Sequence, residues 1–243
     1  MAAQTAGRAR RPTPAEAALV QVYRDAEHAL LGAVTDQVAD VVRADDDDTP
    51  AARAAGATRV REAAEHVVEG LQRGNRRRID AVMAAAAQQG ATAAARELGA
   101  VVGDEPAINV DGLNRLAAAT ADRLAPAHAA ILRTTPDAYR DIVARVAPAV
   151  LVGADTRRQA TQRALWAFTD RGITGFTARA GRRWSLTAYA EMAVRTAANR
   201  AAVDGQLDRL TAEGHNLVMV VGAADRCPLC QPWFGKVLTN TGA

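Results

Sequence analysis

Residues 185–239, SLTAYAEMAVRTAANRAAVDGQLDRLTAEGHNLVMVVGAADRCPLCQPWFGKVLT, decide the fold class. Ser185 is a helix-capping residue, and the helical pattern that follows runs to about Glu213, where Gly214 is a natural stop. Beyond that glycine the period changes. Asn216–Val221 is short and rich in β-forming residues, Gly235–Thr239 is a second candidate strand, and the C-P-L-C turn lies between them. A long helix closed by a short β-hairpin is therefore expected here.

Upstream of this stretch the pattern is helical almost throughout. Thr13-Pro14-Ala15-Glu16 reads as a capping box with proline in the first turn. Leu19, Val22, Tyr23, Ala26, Leu30, Val34, Val38 and Val41 then form one apolar stripe, predicting a helix over 13–43. The carboxylate run Asp45–Asp48 ends it, because clustered negative charge opposes a helix C-terminus. Thr49-Pro50 opens a second helix (50–73) with its stripe at Val60, Ala64, Val67, Val68 and Leu71. Gly74-Asn75 breaks that helix, and an alanine-rich third one follows over 76–98. Gly103 and Pro106 mark a loop, and further helices fit 111–133, 136–150 and 154–171, with Gly172–Gly181 irregular. The expected class is mainly α: long helices followed by a small α+β C-terminal domain with a short hairpin around C-P-L-C. The expected division is a disordered basic tail (1–12), an extended helical region (13–110) and a helical domain with a small β cap (111–243).

The chain is 243 residues long, with 49% hydrophobic residues but only 4% aromatic ones. Its apolar content is thus mostly Ala, Val and Leu, a composition that favours helices. Seven of the nine aromatics (Trp166, Phe168, Phe176, Trp184, Tyr189, Trp233 and Phe234) fall between 166 and 234, so the best-packed core is expected there. Trp184 and Tyr189 are its expected anchors. The helices of the first 110 residues hold only Tyr23, and their stripes are expected to stay exposed until another chain covers them.

Charge is unevenly spread. Residues 1–110 carry 13 arginines against 16 acids, whereas 111–243 carry 17 basic residues against 11 acids. Within the second part, 157–200 holds nine arginines and two acids. Arg157, Arg158, Arg163, Arg179, Arg182 and Arg183 are the candidates there to face DNA or an acidic partner, a solvated face being the plain alternative. No segment approaches the 18 apolar residues of a membrane span, and the N-terminal arginines precede no apolar secretory core.

Cys227 and Cys230 are the only cysteines. Two thiolates at this spacing can reach one zinc, but a structural site needs four ligands, and only His215 and Asp225 lie near enough in sequence to help. Pro232 and Gly235 prevent the helix that would lower a redox thiol's pKa. Two reduced cysteines in a tight turn, with Trp233 covering the core, are the preferred reading; zinc on Cys227, Cys230 and His215 is the alternative. No phosphate-binding loop, dinucleotide fingerprint or nucleophile elbow is present, so neither a cofactor nor an enzyme is expected.

Residues 181–238 resemble the minor capsid, or head-morphogenesis, proteins of tailed bacteriophages. The resemblance rests on an ordered set. Trp184-Ser185 starts a helix that carries Tyr189, Met192 and Arg195-Thr196 and ends at Gly214. The NLVMVV strand follows, and then the cysteine pair with Pro228, the P-W step at Trp233 and G-K-V from Gly235. It implies a structural component inside the head, near the portal, acting in assembly and in DNA packaging or delivery. The implied partners are the portal, other head proteins and packaged double-stranded DNA, with several copies per assembly and no membrane. The implied location is the virion, and the host cytoplasm during assembly. A sequence-independent, arginine-rich DNA-binding protein stays open beside it, as does a metal- or redox-dependent enzyme built on the cysteine pair.

Overall fold

The fold is described from a computed structural model for residues 10–43, 49–101, 108–151, 156–171, 176–177, 183–221, 228–229 and 231–240. Among them are six helices: α1 (Pro14–Arg43), α2 (Pro50–Gln72), α3 (Asn75–Leu98), α4 (Val110–Leu151), α5 (Arg157–Arg171) and α6 (Leu186–Ala212). Four short strands, β1 (Phe176–Thr177), β2 (Arg183–Trp184), β3 (Leu217–Met219) and β4 (Val237–Thr239), form two antiparallel pairs, β1 with β2 and β3 with β4. The protein is mainly α, as its composition predicts. The Asp45–Asp48 run lies outside the described residues.

The helix boundaries follow local chemistry. Thr13 N–H donates to Glu16 Oε1 (2.8 Å), and Glu16 N–H returns the bond to Thr13 Oγ1 (3.3 Å), closing the predicted capping box on α1. Thr49 Oγ1 accepts from Ala52 N–H at the start of α2, and Asn109 Oδ1 accepts from Gly112 N–H at the start of α4. Thr156 and Gln159 form a second capping box on α5, and Ser185 Oγ accepts from Ala188 N–H on α6. Each satisfies a donor that the first helical turn would otherwise leave without a partner.

One expected break does not occur. The sequence predicts separate helices over 111–133 and 136–150, but α4 runs unbroken from Val110 to Leu151 through Pro126 and Pro136. Proline frees the carbonyl four residues earlier, which here means Asp122 and Leu132. Both residues are exposed, so water can take the freed carbonyls. The Thr134 hydroxyl also donates to the Ala130 carbonyl (2.9 Å), bracing the turn before Pro136.

The chain divides into two compact units, and the divisions fall inside α1, α3, α4 and α6. One unit holds residues 18–78 and 120–194. Its core joins Val34 and Val38 of α1, Ala57 and Val60 of α2, Tyr139, Ile142 and Val143 of α4, and Ala160 and Ala164 of α5. Tyr139 lies directly over Gly56, where an added Cβ would overlap the phenolic oxygen. The stripes of α1 and α2 are thus sealed, with Leu30, Val34 and Val60 at most 1% exposed. Their lack of rings predicts that these stripes stay exposed to await another chain; α4 and α5 cover them instead. Small residues at the contacts supply the reason: they let helices approach closely enough that Val and Leu close a core without many rings.

Nor is the core where the aromatics cluster. Tyr23 and Tyr139 are the largest fully buried side chains among the described residues, whereas Trp166 is 66% and Trp233 is 52% exposed. Trp184 and Tyr189 do meet edge to face, 6.2 Å apart at 73°, but both are only half-buried. They brace the start of α6 rather than anchor a core. β1 lies within the Gly172–Gly181 stretch expected to be irregular, and it pairs with β2 just beyond that stretch, Phe176 opposite Trp184.

The other unit contains residues 1–17, 79–119 and 195–243. The stripe of α3, with Ile79, Val82, Met83, Ala86 and Ala87 at most 1% exposed, is buried here with Ala198 and Ala201 of α6. Arg10 ties its N-terminal segment down. The guanidinium grips the Glu16 carboxylate through two nitrogens (2.7 and 2.6 Å) and also reaches Gln89 Oε1 (2.8 Å) and Asn199 Oδ1 (3.1 Å).

Burial would raise the Glu16 pKa, but the Arg10 hydrogen bonds, the Thr13 N–H and the Arg10 charge outweigh it and hold the carboxyl below its ordinary 4.5. A depressed carboxyl adds stability that is full above 4.5 and is lost as pH falls through the folded value. Replacing Arg10 with Ala should cost about 2 kcal/mol at pH 7, because a 5%-exposed carboxylate loses its cation. Urea midpoints at pH 7 and pH 3.5 check this: the loss should shrink at the lower pH. An equal loss at both would assign it to packing alone.

Candidate functional site

The C-terminal hairpin is built on the end of α6. Gly214 turns the chain with φ 81°, while Gly214 N–H bonds to Thr211 O (3.0 Å) and His215 N–H to Leu210 O (2.8 Å). β3 and β4 then pair in the register Leu217 with Thr239, Val218 with Leu238 and Met219 with Val237. Bonds from Val220 N–H to Lys236 O and from Asn240 N–H to Asn216 O extend the ladder at both ends. The Asn240 amide also donates to Thr211 Oγ1 (2.8 Å) and His215 O (3.3 Å), fixing the hairpin to the helix end.

Strand alternation sorts the hairpin into two faces. Val218 and Leu238 share one and are half-buried. Leu217, Met219 and Val237 share the other and are 68%, 50% and 60% exposed. Val221 (69%), Leu229 (85%) and Trp233 extend the exposed apolar surface, and Lys236 Nζ stands 5.5 Å over the Trp233 ring. Trp233 was expected to cover a core, and it instead faces outward. It sits in a single 3-10 turn, Gln231–Trp233, none of whose residues is buried. A two-stranded hairpin is marginal by itself, and this one offers solvent a face that water does not favour.

Cys227 and Cys230 lie outside the described residues. His215 is exposed, and its backbone N–H and carbonyl are both used in the turn. Among the described residues no group of three or more His, Cys, Asp or Glu is placed to hold a metal ion.

The remaining motif residues have visible local roles or positions. Tyr189 O–H donates to the Arg123 carbonyl (3.1 Å), linking α6 to α4. Arg195 and Thr196 are exposed on α6, and Pro228 is exposed in the turn before Leu229. Gly235 has φ 74°, and its N–H bonds to Val220 O (2.9 Å), a conformation that favours glycine at the hairpin's closing turn.

Of the six arginines singled out in the basic segment, Arg158 and Arg163 are exposed on α5. Arg179 and Arg182, with the side chains of Arg157 and Arg183, lie outside the described residues. A second basic feature escaped the sequence reading. The turn between α2 and α3 carries Arg73, Arg76, Arg77 and Arg78, with Arg78 Nη1 donating to the Arg73 carbonyl (2.8 Å). Sequence showed only a helix break at Gly74-Asn75; the signal was four arginines in six positions without an acid among them.

The interior polar groups are structural in form. Tyr23 O–H and His128 Nε2 lie 3.0 Å apart with their rings stacked, and both residues are buried. A cavity lined by Arg53, Ala54, Ala57, Tyr139, Arg140 and Val143 has apolar walls and no carboxylate or imidazole facing a cation across it. No helix among the described residues is long and apolar enough to cross a membrane.

Neither the curated proteins nor the solved structures contain a match to this chain. The family described as phage minor capsid protein 2 matches residues 11–243. That match extends the likeness seen over 181–238 to nearly the whole chain, including the helices whose stripes the fold buries. The exposed hairpin thus belongs to a chain that is a member of the phage minor capsid protein 2 family.

Proposed function

We propose that this chain is a structural component of the phage head, placed inside it near the portal, where it aids assembly and DNA packaging or delivery. It works in several copies and carries no catalytic step. The observation that supports this best is the exposed apolar face of the hairpin at Leu217, Met219 and Val237, beside exposed Trp233. Apolar and aromatic groups gathered in one patch are the features of a protein-binding surface. Another head protein that covers this face also removes the hairpin's weakness as an isolated pair of strands.

The test is incorporation. Leu217→Thr with Val237→Thr keeps β propensity and removes apolar surface on the exposed side alone. The variant chain should keep its helix content and its urea midpoint within about 0.5 kcal/mol, as exposed substitutions do, yet be depleted from purified heads at least tenfold. Incorporation at the wild-type level would overturn docking through the hairpin. A density map of the particle with the chain spread through the shell would overturn the portal-proximal placement.

A second reading, contact with packaged duplex DNA, is compatible with the first and draws on the excess of arginine over 157–200 and on exposed Arg158 and Arg163.

A further inference from the structure

Residues 73–78 read RGNRRR. The local fold turns this run into a one-sided surface. Leu71, Asn75 and Ile79 point inward, 3%, 9% and 0% exposed, while Arg73, Arg76 and Arg77 are exposed. Arg78 is half-buried and occupied with the Arg73 carbonyl, so it fastens the end of α2. Among the described residues neither Arg73 nor Arg77 has an ion-pair partner. Arg76 has a partner of its own among the described residues, but the exposed turn still holds an excess of positive charge that a polyanion can meet.

The chemistry of the patch distinguishes the kinds of polyanion. An acidic protein surface would bind best around an apolar or aromatic anchor, and here the neighbouring apolar residues, Leu71 and Ile79, are buried. The exposed apolar face of the hairpin lies in the other unit, and Trp166, exposed in this one, is carried by α5 and not by the turn. What the turn offers is charge and planar forked donors, the groups that pair two-pronged with phosphate oxygens. We propose that the turn formed by Arg73, Arg76 and Arg77 binds the phosphate backbone of duplex DNA without reading its sequence. This rests on the reading that the chain meets packaged DNA, and it places the contact on the α2–α3 turn rather than on α5.

Phosphate contacts release counterions, so each adds about 0.9 to the magnitude of the slope with which log K falls against log salt. The experiment measures binding of the full chain to a random-sequence duplex between 50 and 200 mM salt. It compares Arg73→Gln/Arg76→Gln/Arg77→Gln with Arg158→Gln/Arg163→Gln. Glutamine is a good helix former, and circular dichroism checks that helix content is kept. The turn variant should lose about 2.7 from the slope, so its disadvantage against wild type should narrow by about 40-fold across that salt range. The corresponding triple lysine variant should keep the slope, and Arg77→Gln alone should lose about 0.9 should the triple variant fail to fold. A wild-type slope in the turn variant, with the loss seen only in the α5 variant, overturns the turn and leaves DNA contact standing. Failure of the wild-type chain to bind duplex at 50 mM salt overturns both. Loss of binding to polyglutamate with duplex binding unchanged would make the partner an acidic polypeptide and overturn the proposal as well.

Discussion

Replacing Gly90 with Ala is expected to destabilise the protein by about 3 kcal/mol, the opposite of what helix propensity alone dictates. Gly90 lies in α3, where a Cβ would overlap the backbone carbonyl of Ala202 in α6; at Gly205 of α6 it would overlap the carbonyl of Ala87 in α3. The two contacts are reciprocal and spaced three residues apart on each helix, so the two backbones touch along one antiparallel seam. Ala86, Ala87, Ala91, Ala198 and Ala201 beside it are at most 1% exposed. A glycine within a helix costs about 1 kcal/mol relative to alanine, and that cost is accepted twice here because only hydrogen fits. The obstacle is backbone rather than a flexible side chain, so relief requires the helices to separate and every alanine along the seam to lose contact. Gly70, inside α2, is the control: a Cβ there meets nothing within 4 Å. Gly70→Ala should stabilise by up to about 1 kcal/mol. Urea midpoints of the two variants should therefore move in opposite directions, and a Gly90→Ala protein as stable as the parent would show that the seam is not close-packed.

That seam marks the limit of what the sequence discloses. The capping box of Thr13 and Glu16, the caps at Thr49 and Ser185, the stop at Gly214 and the existence of the hairpin were all readable, because their determinants lie within about four residues. The α4 helix was not, since Pro136 carries a local stop signal. Whether that signal wins depends on whether the freed carbonyl at Leu132 reaches water, which is a tertiary property. The core was misplaced for a related reason. Aromatic content says how much surface a ring can bury, but burial depends on the space opposite. Tyr139 found it over Gly56, while Trp166 and Trp233 did not. For the candidate surfaces, period-two alternation was available in Leu217-Val218-Met219, yet only the register with Val237–Thr239 and the position of the α6 end decide which face is left uncovered. The arginine turn was visible as composition, and its one-sidedness needed the burial of Asn75 and Ile79.

The largest single loss is expected at Tyr23. Its side chain is 1% exposed and stacks on His128 with ring centroids 5.7 Å apart at 20°. Burial pushes the phenol pKa well above its ordinary value, with only partial relief from the Arg78 charge, and burial lowers that of His128 below 6.5. At neutral pH the pair is therefore an un-ionised phenol and a neutral imidazole sharing one hydrogen bond, 3.0 Å long, whose direction follows the imidazole tautomer. Tyr23→Ala removes the ring, leaves a cavity and strips the imidazole of its hydrogen-bond partner, at about 4 kcal/mol. Tyr23→Phe keeps the packing and loses only the hydrogen bond, at about 1–2 kcal/mol. The same pair sets an acid response. Because the folded pKa of His128 is depressed, the unfolded chain binds the extra proton first. Stability is then full above about 6.5, and it falls away as the pH drops from there through the lower folded value. Glu16 acts in the same direction but only below 4.5, so its effect sets in at a lower pH than that of His128. His128→Gln keeps a hydrogen-bonding group for the Tyr23 hydroxyl without a titrating ring, and its urea midpoint should be flatter between pH 6.5 and 5 than that of the parent. A parent whose midpoint is already flat across that interval would mean that His128 takes up its proton in the folded state as readily as in the unfolded chain, and the neutral buried pair would have to be abandoned.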